Sequence, residues 1–343
     1  MTKKGNYAFI TFLTSTSYLP GALLLHHSIK KHSSYPLLVA LTPNLADTPT
    51  HHALTTAGIE VRIIPFLRPP QKVSVVAERF EDTWTKLRVF EFEEFERVAL
   101  IDGDMMLMRN MDEVFEVLDG KEGGGWIAAN HACVCNLDLS SWAPEDWTKE
   151  NCAYTPLSHP DALTNPTPVT PTSRRSHTLL NSGLVILTPS KSTAAAMYTY
   201  LSTSPLIQTF SFPDQDFLAA YFHNHWLPLG WQYNAIKTAR YWHVNIWRDE
   251  EVKNLHYICD KPWKRRGVVV REGPGMGDDS ETHGWWWREW DAMVGGWRER
   301  GVMGEEALGF VEGLVDVEGK TKLKENTREA EGGEVVAERE VMA

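Results

Sequence analysis

The chain reads as an α/β protein built on a mostly parallel central sheet flanked by helices. Short apolar runs alternate with helix-length segments from Tyr7 onward, an order that implies crossover connections between parallel strands. The apolar run Val98-Ala99-Leu100-Ile101 then stops abruptly at Asp102-Gly103-Asp104. A strand buried on both faces looks like this when it delivers polar residues at its C-terminal end, where open α/β sheets place their ligands.

Tyr7 to Leu13 is the first strand, and the polar turn Thr14-Ser15-Thr16-Ser17 caps a helix containing Tyr18 and Leu23 to His27. Leu37 to Leu41 is the second strand, ended by Pro43-Asn44. A helix over Pro49 to Ala57, then Gly58, leads to a third strand at Glu60 to Ile64. A helical stretch over Thr85 to Phe95 places Leu87, Phe90 and Phe95 on its buried side. After the strand ending at Asp102, Asn110-Met111-Asp112 is expected to cap a helix over Glu113 to Leu118, and Gly123-Gly124-Gly125 forms a flexible joint before a strand at Trp126 to Ala129.

Cys133 to Ser176 has no periodicity and is dense in Pro and Thr from Pro166 to Pro171, which marks a long surface insertion. Order returns in a strand over Thr178 to Leu187, entered through the polar kink Asn181-Ser182-Gly183. A helix over Lys191 to Ser202 follows, and Asp214-Gln215-Asp216 opens another. In Trp285-Trp286-Trp287-Arg288-Glu289-Trp290, helical spacing puts Trp286 and Trp290 on one face, where packing is preferred to a sugar-stacking platform. One domain is expected over 5–300, with the insertion at 133–176, followed by a largely disordered tail over 301–343.

With 343 residues, 43% hydrophobic and 23% charged, the chain can bury a large core. A net charge of −11 argues against nucleic acid as a partner, yet leaves room for a phosphate-bearing small molecule if a metal supplies positive charge locally. No apolar run reaches the roughly eighteen residues that a membrane span needs, and the N-terminal residues lead into a strand too short for a signal segment, so no membrane partner and a cytoplasmic location are expected. Four cysteines are too few for a disulfide scaffold. Cys133, Cys135 and Cys152, with His131 nearby, raise a zinc reading, but their spacing matches no familiar zinc motif and ordinary thiols are favoured.

Asp102 and Asp104 would repel each other unless something offsets their charge. A hard divalent cation carrying a diphosphate would do so. Asp-Gly-Asp is also common turn chemistry, and from this stretch alone both readings stand. No Gly-x-Gly-x-x-Gly follows the first strand, which removes the main signal for a nicotinamide-type fold.

Several blocks in order complete the pattern: Thr11-Phe12-Leu13-Thr14 to Tyr18 with Gly21-Ala22-Leu23, Thr85-Lys86-Leu87, Asp102-Gly103-Asp104, Asn181-Ser182-Gly183, Asp214-Gln215, Tyr233-Asn234, and His256 followed by Lys261-Pro262-Trp263. From about Tyr7 to Trp263 the chain resembles glycosyltransferase family 8, the group that contains glycogenin and galactinol synthase. The resemblance implies a GT-A fold with a Rossmann-like sheet. It implies retaining transfer of a hexose, glucose or galactose, from a UDP-sugar to a polyol or glycan acceptor, dependent on Mn²⁺ with Mg²⁺ as a substitute. A homodimer is compatible with it.

Carried over by position, Asp102, Asp104 and His256 would ligate the metal. Tyr18 would stack on the uracil, with Thr14 and Ser15 near the nucleotide, the Gly103 backbone near the ribose and Lys261 on the diphosphate. Lys86 would sit near the donor sugar or phosphate, and Asn181, Ser182, Asp214 and Gln215 would line the sugar pocket; Lys86, Asp214 and Gln215 are the candidate catalytic groups. No residue declares itself a nucleophile, which favours same-face attack over a covalent intermediate. The spacer Tyr257-Ile258-Cys259-Asp260 lacks the glycine that glycogenin carries there. Tyr241 falls where ungapped spacing would put glycogenin's self-glucosylated tyrosine, but its neighbours Arg240, Trp242 and His243 favour a structural aromatic. The alternatives to transfer onto a separate acceptor are a self-glucosylating primer protein and a non-catalytic nucleotide-sugar-binding protein.

Overall fold

The computed structural model describes residues 5–316 apart from 72, 74–80, 122–123, 268 and 271. In chain order its elements begin with β1 (Tyr7–Leu13), α1 (Leu19–His32), β2 (Leu37–Leu41), α2 (Pro49–Thr56), β3 (Glu60–Ile63), β4 (Arg97–Ile101) and β5 (Met105–Leu107). They continue with β6 (Ile127–His131), β7 (Leu180–Leu187), α3 (Lys191–Thr203), α4 (Pro213–Tyr221) and β8 (Trp226–Pro228). Last come β9 (Ala235–Ile236), α5 (Ala239–Trp242), β10 (Asn254–His256), α6 (Ser280–Arg300) and α7 (Glu305–Gly313).

Strands with no polar face must be covered on both sides, and β2 and β4 meet that condition: every residue of β2 and Val98 to Ile101 of β4 are buried. They lie within a seven-stranded sheet ordered β3-β2-β1-β4-β7-β6-β8. Parallel pairs join β1 to β2 and β4, β2 to β3, and β6 to β8, whereas β7 runs antiparallel to β4 and β6. The sheet is mostly parallel, as expected. From β1 the chain builds outward to β3 and then returns to β4 on the other side of β1. Strand order therefore reverses at the β1–β4 boundary, and the Asp102-Gly103-Asp104 turn lies at this switch point, beyond the C-terminal end of β4.

A second sheet of three strands, β5-β10-β9, sits past that edge. β10 runs antiparallel to β5 with His256 opposite Met105, which draws the histidine to the end of the aspartate turn. Ser28 of α1 ties this sheet to the first layer: its hydroxyl donates to the Leu25 carbonyl (2.9 Å) and accepts the Leu107 N–H (3.1 Å).

α1 starts with Pro20, whose missing N–H costs nothing in the first turn, and buries Leu19 and Ala22 to Leu25. Gly21 is required for its approach to the sheet, because a Cβ there would lie 2.2 Å from the Gly103 carbonyl oxygen and 2.8 Å from the Trp263 ring. Tyr18 precedes α1, closing a short 3-10 turn (Thr16–Tyr18) capped by the Ser15 hydroxyl, instead of lying within the helix.

Several local expectations change. The stretch after residue 82 is a 3-10 helix over Thr83–Glu91 that ends before Phe95; Leu87 and Phe90 are buried, and Phe95 is half-buried beyond it. Asp112–Glu116 forms only a short 3-10 turn. The Asp112 carboxylate does not cap that turn; it accepts the Ser34 N–H (3.2 Å) and hydroxyl (3.0 Å) at the end of α1. Gly123 of the expected glycine joint lies outside the described residues, and Gly124 has φ +70°. The 133–176 segment is more than a surface feature, since Val134, Cys135, Cys152, Ala153, Tyr154 and Ala162 are buried.

The expected tail also folds in part: α7 buries Leu308 and Val311 and packs against α2. Residues 317–343 lie outside the described residues. The tryptophans of α6 pack, with Trp286 stacked on Trp290 (centroids 5.0 Å apart) and against Trp263 (5.8 Å). Gly301, in the left-handed region at φ +63°, closes α6. No helix among the described residues is long and apolar enough to cross a membrane.

Gly21→Ala is expected to lower stability by about 1–3 kcal/mol, because the new methyl meets a backbone carbonyl that cannot rotate away. The urea-denaturation midpoint measures this, and an unchanged midpoint would contradict the helix–turn contact.

Candidate active site

The Asp102-Gly103-Asp104 turn is clamped by both sheets. The Asp102 N–H donates to the Gly183 carbonyl on β7 (2.8 Å), Met105 N–H closes the turn on the Asp102 carbonyl (3.2 Å), and Tyr257 N–H after β10 donates to the Asp104 carbonyl (2.9 Å). The two readings of this stretch therefore merge, since the turn is what presents both carboxylates. One ligand atom each from Asp102, Asp104 and His256 lie within 4.8 Å of one another. Asp104 Oδ1 stands 3.4 Å from His256 Nε2.

Each aspartate has its own lysine. Lys86 Nζ lies 2.7 Å from Asp102 and 3.0 Å from Asp214 at the start of α4. Lys261 Nζ donates to Asp104 and to the Tyr257 carbonyl (2.8 Å). Burial works to raise the Asp104 pKa, but Lys261 and then His256 overcome it and hold this carboxyl well below the usual range. At Asp102 burial prevails over the Lys86 ammonium, and the carboxyl is raised. Burial opposes the charge on Lys86, yet Asp102 and Asp214 hold it above the ordinary lysine range. Three carboxylates against two ammonium groups leave one negative charge unbalanced in a mostly buried cleft.

A chain of amides sets the state of His256. Gly183 N–H donates to Asn181 Oδ1 (3.0 Å), so that atom is an acceptor, and Asn234 must present its NH₂ to it (2.7 Å). Asn234 Oδ1 then faces His256 Nδ1 at 2.9 Å, so Nδ1 carries a proton and donates to it. Nε2 is left facing Asp104, and it is the nitrogen that a shared metal would take. Asn181 Nδ2 also donates to Gln215 Oε1 (3.3 Å). Gly183 permits this packing: a Cβ there would come within 2.5 Å of the imidazole. Two carboxylates and one imidazole form a mixed oxygen and nitrogen donor set suited to Mn²⁺ or Mg²⁺, with Mn²⁺ the better match for the nitrogen.

On the other side, Tyr18 is half-buried, edge-on to Trp263 (centroids 5.6 Å apart, planes at 73°), with Lys261 Nζ 5.6 Å from its ring centre. Trp263 Nε1 donates to the Ser17 carbonyl (2.9 Å), so the loop after β1 and the Lys261 loop brace each other. Cys259 adopts φ +59°, a left-handed conformation at the spacer position where the glycine is missing.

Asp102, Asp104, His256, Lys86, Lys261, Asp214, Asn181 and Gln215 thus meet in one network, with Ser182 buried beside them in β7 and the Gly103 backbone against α1. Thr14 and Ser15 make their hydrogen bonds elsewhere, to Asn44 and Ser17. Asn234 was assigned no role from sequence, although the adjoining Tyr233-Asn234 block flags it.

Comparison with known proteins agrees with this geometry. The chain is 29% identical to Galactinol synthase 1 of Solanum lycopersicum over 273 residues, covering 77% of this chain and 76% of that protein. It is 28% identical to Galactinol synthase 2 of Arabidopsis thaliana, covering 76% and 74%. Among solved structures, the glycosyltransferase GlyE of Streptococcus pneumoniae TIGR4 superposes with a TM-score of 0.52 at 15% identity, covering 87% of this chain and 65% of that one, a likeness of fold. The profile of glycosyl transferase family 8 matches residues 9–267, and the chain belongs to that family.

Proposed function

We propose that the protein is a retaining, metal-dependent hexosyltransferase that moves glucose or galactose from a UDP-sugar to a small polyol or glycan. The observation that carries this is the convergence of Asp102, Asp104 and a His256 whose Nδ1 is engaged by Asn234, leaving Nε2 for a ligand. When bound, Mn²⁺ supplies positive charge to the diphosphate that leaves with UDP.

The protein's own residues account for the rest. A divalent cation would convert the single excess negative charge into a single excess positive one, ready for a diphosphate. Lys261 then exchanges its Asp104 partner for a phosphate oxygen, and its charge assists departure of UDP. Tyr18, already beside Lys261, offers its ring to the uracil. Lys86 pairs with Asp214 and orients it near the sugar, where a carboxylate stabilises positive charge at the anomeric carbon. Asp214 is engaged by Lys86 and Gln215 by Asn181, which supports same-face attack. In that step the bond from the anomeric carbon to phosphate breaks, the acceptor oxygen bonds on the same face, and its proton passes to the leaving phosphate oxygen.

A separate acceptor is favoured over a tyrosine of this chain. The matching relatives are named for making galactinol, and the Tyr241 ring is half-buried and packed on Gly277, where a Cβ would come within 2.7 Å of it.

Hydrolysis of UDP-glucose and UDP-galactose, assayed with and without Mn²⁺ and then with added polyols, tests the reading. Metal-dependent turnover of at least one donor, raised by an acceptor, is expected; binding without any turnover would point to the non-catalytic alternative. Asp104→Asn should abolish the Mn²⁺-dependent part of UDP binding in calorimetry, and an unchanged affinity with and without metal would refute the metal role. Asn234→Ala should weaken Mn²⁺ binding about 10–100-fold, as loss of a residue orienting a metal-bound histidine does, while UDP binding without metal persists. Wild-type Mn²⁺ affinity in that variant would remove the amide chain from the account.

A further inference from the structure

Three of the four cysteines, spread over 133–152, converge on one histidine 91 to 110 residues away. Cys133 and Cys135 follow β6 with the buried Val134 between them. Cys152 ends the 3-10 turn Lys149–Asn151, and His243 ends α5. His243 Nε2 stands 3.3 Å from Cys133 Sγ, 3.4 Å from Cys135 Sγ and 3.7 Å from Cys152 Sγ; the Cys133 and Cys152 sulfurs are 4.0 Å apart. A tetrahedral zinc with ordinary Zn–S and Zn–N bonds requires S–N edges of about 3.5 Å and S–S edges of about 3.8 Å. Cys152 and His243 are fully buried, Cys135 nearly so, and Cys133 half-buried. His131, the histidine nearest in sequence, takes no part: its Nε2 pairs with the Thr167 carbonyl.

We propose that Cys133, Cys135, Cys152 and His243 form a structural zinc site. Four protein ligands close the coordination sphere, leaving no position for water or substrate, so the metal holds structure together and does no chemistry. Three sulfurs and one imidazole nitrogen stand at the separations that the ligands of one metal keep. A divalent cation lets all three ionise. Among the described residues His243 Nδ1 has no hydrogen-bond partner, and Nε2 is the nitrogen that faces the three sulfurs.

The site fastens the 133–152 segment to the chain between Asn234 and His256, and so braces the wall that carries the amide chain described above. The proposal departs from the expectation of ordinary thiols, because spacing among the cysteines alone does not reveal a fourth ligand so far along the chain.

Metal analysis of the full chain, expressed in zinc-replete medium and dialysed against a mild chelator, tests this without reference to transferase activity. About one zinc per chain is expected, with a fall to near zero in Cys152→Ser and His243→Ala and full retention in Asp104→Asn. Cobalt substitution should give thiolate-to-metal charge-transfer and tetrahedral ligand-field absorption. The wild-type protein decides on its own, whether or not the Cys152 and His243 variants fold. Wild-type protein free of zinc, or with Cys133 and Cys152 joined as a disulfide by mass spectrometry of the native chain, would overturn the proposal, as would zinc lost in Asp104→Asn.

Discussion

The orientation of one amide, Asn181, governs how the site can work. Its carbonyl oxygen is committed to the backbone N–H of Gly183, and from that commitment the direction of each following hydrogen bond is forced through Asn234 to His256. A neutral histidine has one donor and one acceptor nitrogen, and choosing the donor chooses the ligand. The backbone of β7 thus decides which imidazole nitrogen faces Asp104. It also requires Gly183 itself, since any side chain there would occupy the position of the imidazole. The Asn-Ser-Gly kink serves both ends at once.

A second constraint is electrostatic. Asp102, Asp104 and Asp214 are all largely buried, and an uncompensated buried charge is costly enough that removing one partner of such a pair often destabilises by about 3–5 kcal/mol. Lys86 and Lys261 keep the cleft stable before any cation arrives. On the proposed function Lys261 would stand where a diphosphate needs positive charge, so its pairing with Asp104 in the free protein would be exchanged on binding. The Trp263–Trp286–Trp290 stack and the bond from Trp263 to Ser17 hold the Lys261 loop close enough for that exchange.

Much of the fold was legible in the sequence. β1 and β2 match their expected bounds because an apolar run bounded by turn residues has few alternatives. The single turn at Asp112–Glu116 was misread as a helix because its acidic residue serves the end of α1, a contact that local pattern does not encode. α7 was hidden in a stretch rich in Gly and Glu, where Leu308 and Val311 are buried only because α2 lies alongside. At the site, the pair Asp102 and Asp104 was readable from an apolar run ending in acids. The part played by Asn234 was not, since an asparagine gains its meaning from which atom faces which neighbour. His243 stands 91 residues beyond Cys152, a separation at which cysteine spacing carries no signal of their approach.

The central claim is that two aspartates and the Nε2 atom of His256 share one cation that grips a diphosphate. Anomalous diffraction at the manganese edge, from crystals grown with Mn²⁺ and UDP, addresses it most directly. A single manganese peak in direct coordination with Asp102, Asp104 and His256 Nε2, touching the diphosphate, is the predicted result. UDP bound with manganese elsewhere, or held through Nδ1, would contradict the account.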